Sequence, residues 1–300
     1  MPKDHLVGGQ AVIEGVMMKN DNNIAIAVRN ENGKIVTKKE KLKKRKFSKT
    51  VFVRGIANLV EMLIIGLKAL VWSANQMEKE EERLSKKEIF FTLFFSIAFV
   101  VLFFIALPYF LTIIAGIKEE ASPILFNLVD GIIKVALFVL YVILISFLKD
   151  VRRLFQYHGA EHKVVYCYEA SKKLTVENAK KFSTRHPRCG TSFVILVFIV
   201  SILIFSILPP VVIWLYPNFT ALNFWVQKGI LFPLRLLFII PIASITYELL
   251  RLSGKHKDNF MVKIISQPGL LLQGITTKEP NKKQIEVAIK ALKDVLSMRE

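Results

Sequence analysis

Residues 89–116 read IFFTLFFSIAFVVLFFIALPYFLTIIAG, a run without a single charged side chain. About 20 apolar residues in a helix cross the hydrocarbon core of a bilayer, so this run predicts a membrane-spanning helix with length to spare. Composition agrees. The chain has 300 residues, is 53% hydrophobic and holds 23 phenylalanines, too apolar for an ordinary soluble domain. Further spans are expected at about 124–148, 193–216 and 230–250. Asp130 and Lys134 sit four apart near the start of the second, where one helical face lets them neutralise each other. Pro209-Pro210 falls towards the end of the third, and Arg235 and Glu248 lie near opposite ends of the fourth.

The net charge is +18, and the basic residues occur in blocks. Residues 1–88, the 149–192 loop and the tail beyond 250 are rich in Lys and Arg, whereas 118–123 and 217–229 carry one lysine each. The positive-inside rule therefore puts both termini and the 149–192 loop in the cytoplasm, and four spans close that topology. In a membrane protein such blocks report orientation and attraction to anionic lipid headgroups. No aromatic-interleaved basic stripe points to nucleic acid. Two cysteines, Cys167 and Cys189, are too few for a disulfide framework. Gln10 and Glu14 interrupt the N-terminal apolar run, which argues against a cleaved signal peptide.

In front of the first span, 51–75 is apolar except for a stripe of Arg54, Asn58, Glu61 and Lys68. That pattern predicts an amphipathic helix at the interface or against the bundle; a tilted fifth span would spoil the even count. Within 1–50, Ile24, Ile26 and Val28 alternate, Asn32-Gly33 supplies a turn, and Ile35 resumes the pattern. A β-hairpin follows, with QAVIEGVMMK as a candidate third strand. The basic run at 38–46 reads as solvated or facing acidic headgroups. After Pro280, Ile285, Ala288, Leu292 and Val295 fall on one face of a short helix that needs a partner. The expected fold is thus an α-helical integral membrane protein. It comprises a segment 1–50, an interfacial helix 51–75, a bundle over 89–250 with its motif loop 149–192, and a tail 251–300. The two ends of the chain form a small cytoplasmic α+β part.

The chemistry concentrates at YHGAEHKVVYCYE, residues 157–169. No proline interrupts the chain from the second span into this stretch, so the helix is expected to project from the membrane. On a helix His158 and His162 point the same way, the geometry for two imidazoles on one metal ion. With Glu161 between them the pattern is H-x-x-E-H, two ligands and a carboxylate able to take a proton from water. HPRCG adds His186 and Cys189 on a loop before the third span, and these two ligand types could complete a tetrahedral site. Glu248 is the alternative third ligand, with Arg251 at i+3 as its plainer partner; Glu169 is weaker, and Cys167 reads as a packing residue. Against all this stands a purely structural polar cluster at a wet helix edge. GGQAVIEGVMM, with Gln10 and Glu14, and SQPGLLLQG, with Gln267, read either as binding loops for a polar substrate or as turns. The stripe residues Arg54 and Glu61, and Arg188 on the loop, are further candidates for substrate contact.

The blocks GGQAVIEGVMM, Arg54-Gly55, YHGAEHK, HPRCGTSF, Tyr247-Glu248 and QPGLLLQ together resemble the YqhQ-like family of bacterial membrane proteins. The resemblance covers nearly the whole chain. It implies an inner-membrane, metal-dependent enzyme whose motif residues gather on the cytoplasmic side, and supplies no substrate. The expectation is therefore a membrane hydrolase holding a divalent metal, zinc by its donor types, with Glu161 as general base. A scaffold or assembly protein, with a closed structural zinc knot of His158, His162, His186 and Cys189, is the alternative. A transporter is third, weakened because Asp130, Lys134 and Arg235 are few and lie near span ends.

Overall fold

A computed structural model describes residues 7–43, 53–77, 85–117, 119, 121–255 and 259–298. The chain begins with four antiparallel strands in sequential order: β1 Val7–Val12, β2 Gly15–Asn20, β3 Asn23–Arg29 and β4 Ile35–Lys41. QAVIEGVMMK, expected as one strand, is instead split between two. It bends at Ile13-Glu14, where Glu14 takes a left-handed φ of 51°, and Gly9 pairs with Met18 across the hairpin. The central strands β2 and β3 are buried on both faces. Val16, Met18, Ala25 and Ala27 join one core, while Met17, Ile24, Ile26 and Val28 join another, as the two-residue period of a strand requires. Of the 38–46 basic run, Lys39 reaches Asp294 at 3.3 Å and Lys38 reaches Glu40 at 3.6 Å; residues 44–46 lie outside the described residues.

The helices follow in order. α1 is Val53–Asn75, α2 Lys86–Val101 and α3 Leu107–Ile114, the last two joined by a π-helical stretch at Leu102–Ala106. Pro108 explains that stretch: its missing N–H and its ring disturb the preceding turn, which widens to accommodate it. α4 is Pro123–Ile145, α5 Lys149–Glu169, α6 Val176–Lys180, α7 Gly190–Leu215 and α8 Phe224–Lys255. α9, Phe260–Thr276, and α10, Lys282–Ser297, complete the chain. Among the described residues, five helical stretches are long and apolar enough to cross a membrane: Val53–Asn75, Lys87–Ile114, Pro123–Ile145, Gly190–Leu215 and Phe224–Leu252. The segment expected to be interfacial thus reaches spanning length, making five candidates where four plus a surface helix were expected.

Two further expectations need correction. The helix of the second span does not continue into the motif. α4 ends at Ser146, Leu148 is extended (φ −68°, ψ 132°), and α5 starts afresh with Asp150 in its first turn. SQPGLLLQG is not a turn either. Pro268-Gly269 lies inside α9, where a Cβ on Gly269 would come within 2.3 Å of the Ser192 hydroxyl oxygen. Glycine is there to let α9 lie against α7.

Three elements share the largest core. One face of the sheet, α5 (Tyr157, Ala160, Val164, Cys167) and α10 (Ile285, Ala288, Leu292, Val295) interdigitate, so the C-terminal helix finds its partner in the N-terminal sheet. The other sheet face packs on Ile65 and Ala69 of α1. Gln10 donates to the Gly66 carbonyl at 3.1 Å, and the Ile13 N–H donates to Ser73 Oγ at 3.1 Å, fixing β1 and its turn along α1.

At the opposite end of the bundle a charged cluster ties loop to helices. Glu119 is 5% exposed and accepts from Arg235 at 2.6 Å and from Lys228; Arg235 also donates to Asn127 at 2.9 Å. The expected Asp130–Lys134 pair forms beside it at 2.5 Å.

A candidate metal centre at the base of an apolar cavity

α5 carries His158 and His162 one turn apart, their ring centroids separated by 4.5 Å. α7 begins directly after Cys189, whose sulfur caps the helix and accepts from the Thr191 N–H at 3.4 Å. Among the described residues, one ligand atom each from His158, His162 and Cys189 come within 4.8 Å of one another. His158 Nε2 lies 3.1 Å from Cys189 Sγ. In a tetrahedral zinc site the corresponding nitrogen–sulfur edge is about 3.5 Å, so a few tenths of an ångström of opening accommodates an ion.

The imidazoles are oriented for ligation by the main chain. His158 Nδ1 lies 2.9 Å from the Thr276 carbonyl at the end of α9, and His162 Nδ1 lies 2.5 Å from the Thr184 carbonyl. A carbonyl can only accept, so each Nδ1 carries the proton and each Nε2 presents a lone pair to the other donors. Metal-binding histidines are held in this way. Burial pushes both imidazole pKa values down, favouring the neutral, ligating form. Two imine nitrogens and a sulfur at the positive end of α7 therefore form a donor set that fits zinc.

Glu161 adjoins this set. The residue is 5% exposed, and its carboxylate lies 3.4 Å from His162 Nε2. Burial pushes its carboxyl pKa up, so a proton taken here is held more firmly than on a solvated glutamate. A Cβ on Gly9 would come within 3.1 Å of Glu161 Cγ and 2.4 Å of the Met17 carbonyl; glycine allows this close approach.

His186 lies on the same side but apart. Its ring is 5.7 Å from that of His162 and 4.3 Å from Tyr166, and its Nε2 is 3.5 Å from Glu169. Arg188 forms an ion pair with Glu169. Glu248 is gripped by Arg54 through two hydrogen bonds of 2.7 and 2.6 Å, with Arg251 at 4.0 Å. It is not among the three converging ligands. The other candidates serve as fasteners. Gln10 docks on α1, Glu14 accepts from Arg153 at 2.5 Å, and Glu61 faces Lys19 at 3.8 Å. Gln267 is exposed on α9, and Cys167 is buried in the core.

Several positioning residues carry no signal in the sequence pattern. Gln273, fully buried, accepts from the His186 N–H at 2.7 Å and donates to the His186 carbonyl at 2.9 Å and Ser192 Oγ at 3.0 Å. It pins HPRCG to α9 from both sides. Lys163, 4% exposed, donates to the carbonyls of Lys180 and Phe182, holding the segment that presents Thr184 to His162.

Above the cluster opens a cavity of about 680 Å³ between β1, α1, α5, the start of α7 and the end of α8. His158, Glu161, His162 and Cys189 line it; Leu59, Met62, Leu63, Leu154, Phe193 and Leu250 supply much of the remaining wall, with Gln10, Lys19, Asp21, Asn58 and Tyr247 among them.

An apolar multi-helix protein with a buried His–His–Cys–Glu cluster is the class that fold and site define. Residues 51–298 match the family model described as "Protein of unknown function (DUF1385)", and the chain belongs to that family. It is 32% identical over 308 residues to the uncharacterized protein YqhQ of Bacillus subtilis (strain 168), covering 97% of this chain and 92% of the relative. No solved structure matches.

Proposed function

We propose that the protein is a multi-pass enzyme of the bacterial inner membrane, a zinc-dependent hydrolase working at the cytoplasmic surface. The observation that carries this reading is the convergence of His158 Nε2, His162 Nε2 and Cys189 Sγ, with both Nδ1 positions tied to main-chain carbonyls. Three protein ligands leave a fourth position for water or substrate. When bound, the metal supplies Lewis acidity at that position. Glu161 accepts a proton from water there and returns it to the leaving group, its side chain packed against Gly9. The apolar walls keep competing water away.

Shared cores support a surface position for α1. The sheet packs against α5 and α10, so all three lie on one side of the membrane. Among the described residues, only α1, α2–α3 and α4 separate the sheet from α5 in sequence. If α2–α3 and α4 each cross, α1 cannot cross without putting the sheet and α5 on opposite sides. Four crossings, an interfacial α1 and the excess of Lys and Arg on the segments flanking them favour cytoplasmic termini.

A closed structural site, as in a scaffold protein, is the second reading. The 3.4 Å approach of Glu161 to His162 Nε2 favours it, because a carboxylate this near can ligate as well as take a proton. Elemental analysis of the purified full-length protein tests both. About one zinc per chain is expected, retained in Glu161→Gln and lost in His158→Ala. Loss of zinc in Glu161→Gln identifies the closed site, and wild-type protein without stoichiometric metal sinks both readings.

A further inference from the structure

The cavity lining is mostly apolar, with Gln10, Lys19, Asp21, Asn58 and Tyr247 as polar members besides the cluster, and Leu63 marks where it opens. Leu63 lines it and yet is 65% exposed, on the α1 face that also shows Val60, Ile64 and Leu67 to the surroundings. The apolar wall of the cavity therefore runs without a break into the apolar outer face of α1. With α1 at the interface, that face meets acyl chains. A water-soluble substrate would have to bury polar groups against Leu59, Met62, Leu154 and Phe193, at a cost of roughly 1–3 kcal/mol for each unpaired group. An acyl chain loses nothing by the same contacts. A volume of about 680 Å³ suits a small molecule rather than a protein segment. Lys19 and Arg188 line the cavity together with Asp21 and Glu161; Lys19 faces Glu61, whereas Arg188, next to Cys189 in sequence, pairs with the part-exposed Glu169 and is the cation beside the cluster that an acidic head would share with it.

We infer that the substrate is a membrane lipid with an acidic head. It enters sideways past Leu63, lays its chain against α1 and Phe193, and brings its head to the His–Cys–Glu cluster with Arg188 on the acidic group. This rests on the metal-site reading above and adds the source and chemical class of what reaches it.

The test uses full-length protein in phosphatidylcholine vesicles doped with phosphatidylglycerol carrying a diazirine in its acyl chain. After illumination, labelled residues are mapped by mass spectrometry and zinc is measured on the same preparation. Label is expected on the 59–63 segment and on Phe193, competed by unlabelled phosphatidylglycerol but not by equal phosphatidylcholine or by its water-soluble dibutyryl analogue. Leu63→Glu should lower cavity labelling roughly tenfold or more, because it sets a carboxylate in the path of the chain. Leu67→Glu, one turn on along the same face and outside the cavity lining, controls for membrane attachment and should leave labelling in place. Label confined to lipid-facing spans such as 89–114, or cavity label that survives Leu63→Glu, overturns the inference. Equal competition by phosphatidylcholine overturns the acidic head. Zinc-replete protein with an unlabelled cavity refutes the lipid route alone, whereas zinc-free wild-type protein refutes the metal site whatever the labelling.

Discussion

The bundle has a polar cluster at each end, and they are built on opposite plans. Around Glu119 the charges answer one another: Lys228 and Arg235 close on one carboxylate, Asn127 takes a remaining guanidinium hydrogen, and Asp130 pairs with Lys134. Around His162 the protons point outwards. Each Nδ1–H goes to a main-chain carbonyl, so that Nε2 of His158, Nε2 of His162, the sulfur of Cys189 and a carboxylate oxygen of Glu161 meet as acceptors. The first cluster pairs opposite charges directly and serves as a clamp. The second gathers lone pairs, an arrangement that a cation stabilises.

The sharpest way to break the contrast is to remove a donor. Cys189→Ala should abolish stoichiometric zinc by elemental analysis, while Glu119→Leu leaves zinc unchanged; an equal loss in both would make the two clusters alike. The next effect belongs to the clamp. Glu119→Leu strands two cations in a part-buried site and should lower stability by about 3–5 kcal/mol, read as a fall in melting temperature in detergent. Gln273→Ala removes three hydrogen bonds behind HPRCG without touching a ligand. Zinc affinity should drop about 10–100-fold in competition with a chelator, as when other supports behind metal ligands are removed. The smallest change is expected from Arg153→Ala. Its pair with Glu14 has Arg153 at 57% side-chain exposure, so less than about 1 kcal/mol should be lost, with zinc unaltered.

Spans were the most legible part of the sequence, because length and apolarity are properties of a string and need no partner. His158, His162 and Cys189 were legible as ligand types at helical and loop spacing. The first hairpin was not: its turn rests on Glu14 at φ 51°, where a reader looks for Asn-Gly. α9 was hidden for the converse reason. Pro-Gly signals a turn, and only the Ser192 side chain packed on Gly269 explains a helix there. The break before α5 carries no proline or glycine at all, since Ser146, Phe147 and Leu148 make it by backbone angles alone. The acceptors that aim the histidines are main-chain carbonyls of Thr184 and Thr276, and every residue has one. Gln273 looked like any polar residue until His186 and Ser192 were found around it.

The core shared by the N-terminal sheet and α10 has a consequence for how the chain is made. Ile285 to Val295 leave the ribosome after all the candidate spans among the described residues, so Val16, Met18, Ala25 and Ala27 wait until those helices have been made before their covering helix arrives. Contacts this distant in sequence form late and slowly. A chain stopped before Lys282 would keep its spans yet leave one face of the sheet bare, a ready substrate for quality-control proteolysis. Burial of that sheet face therefore waits on α10.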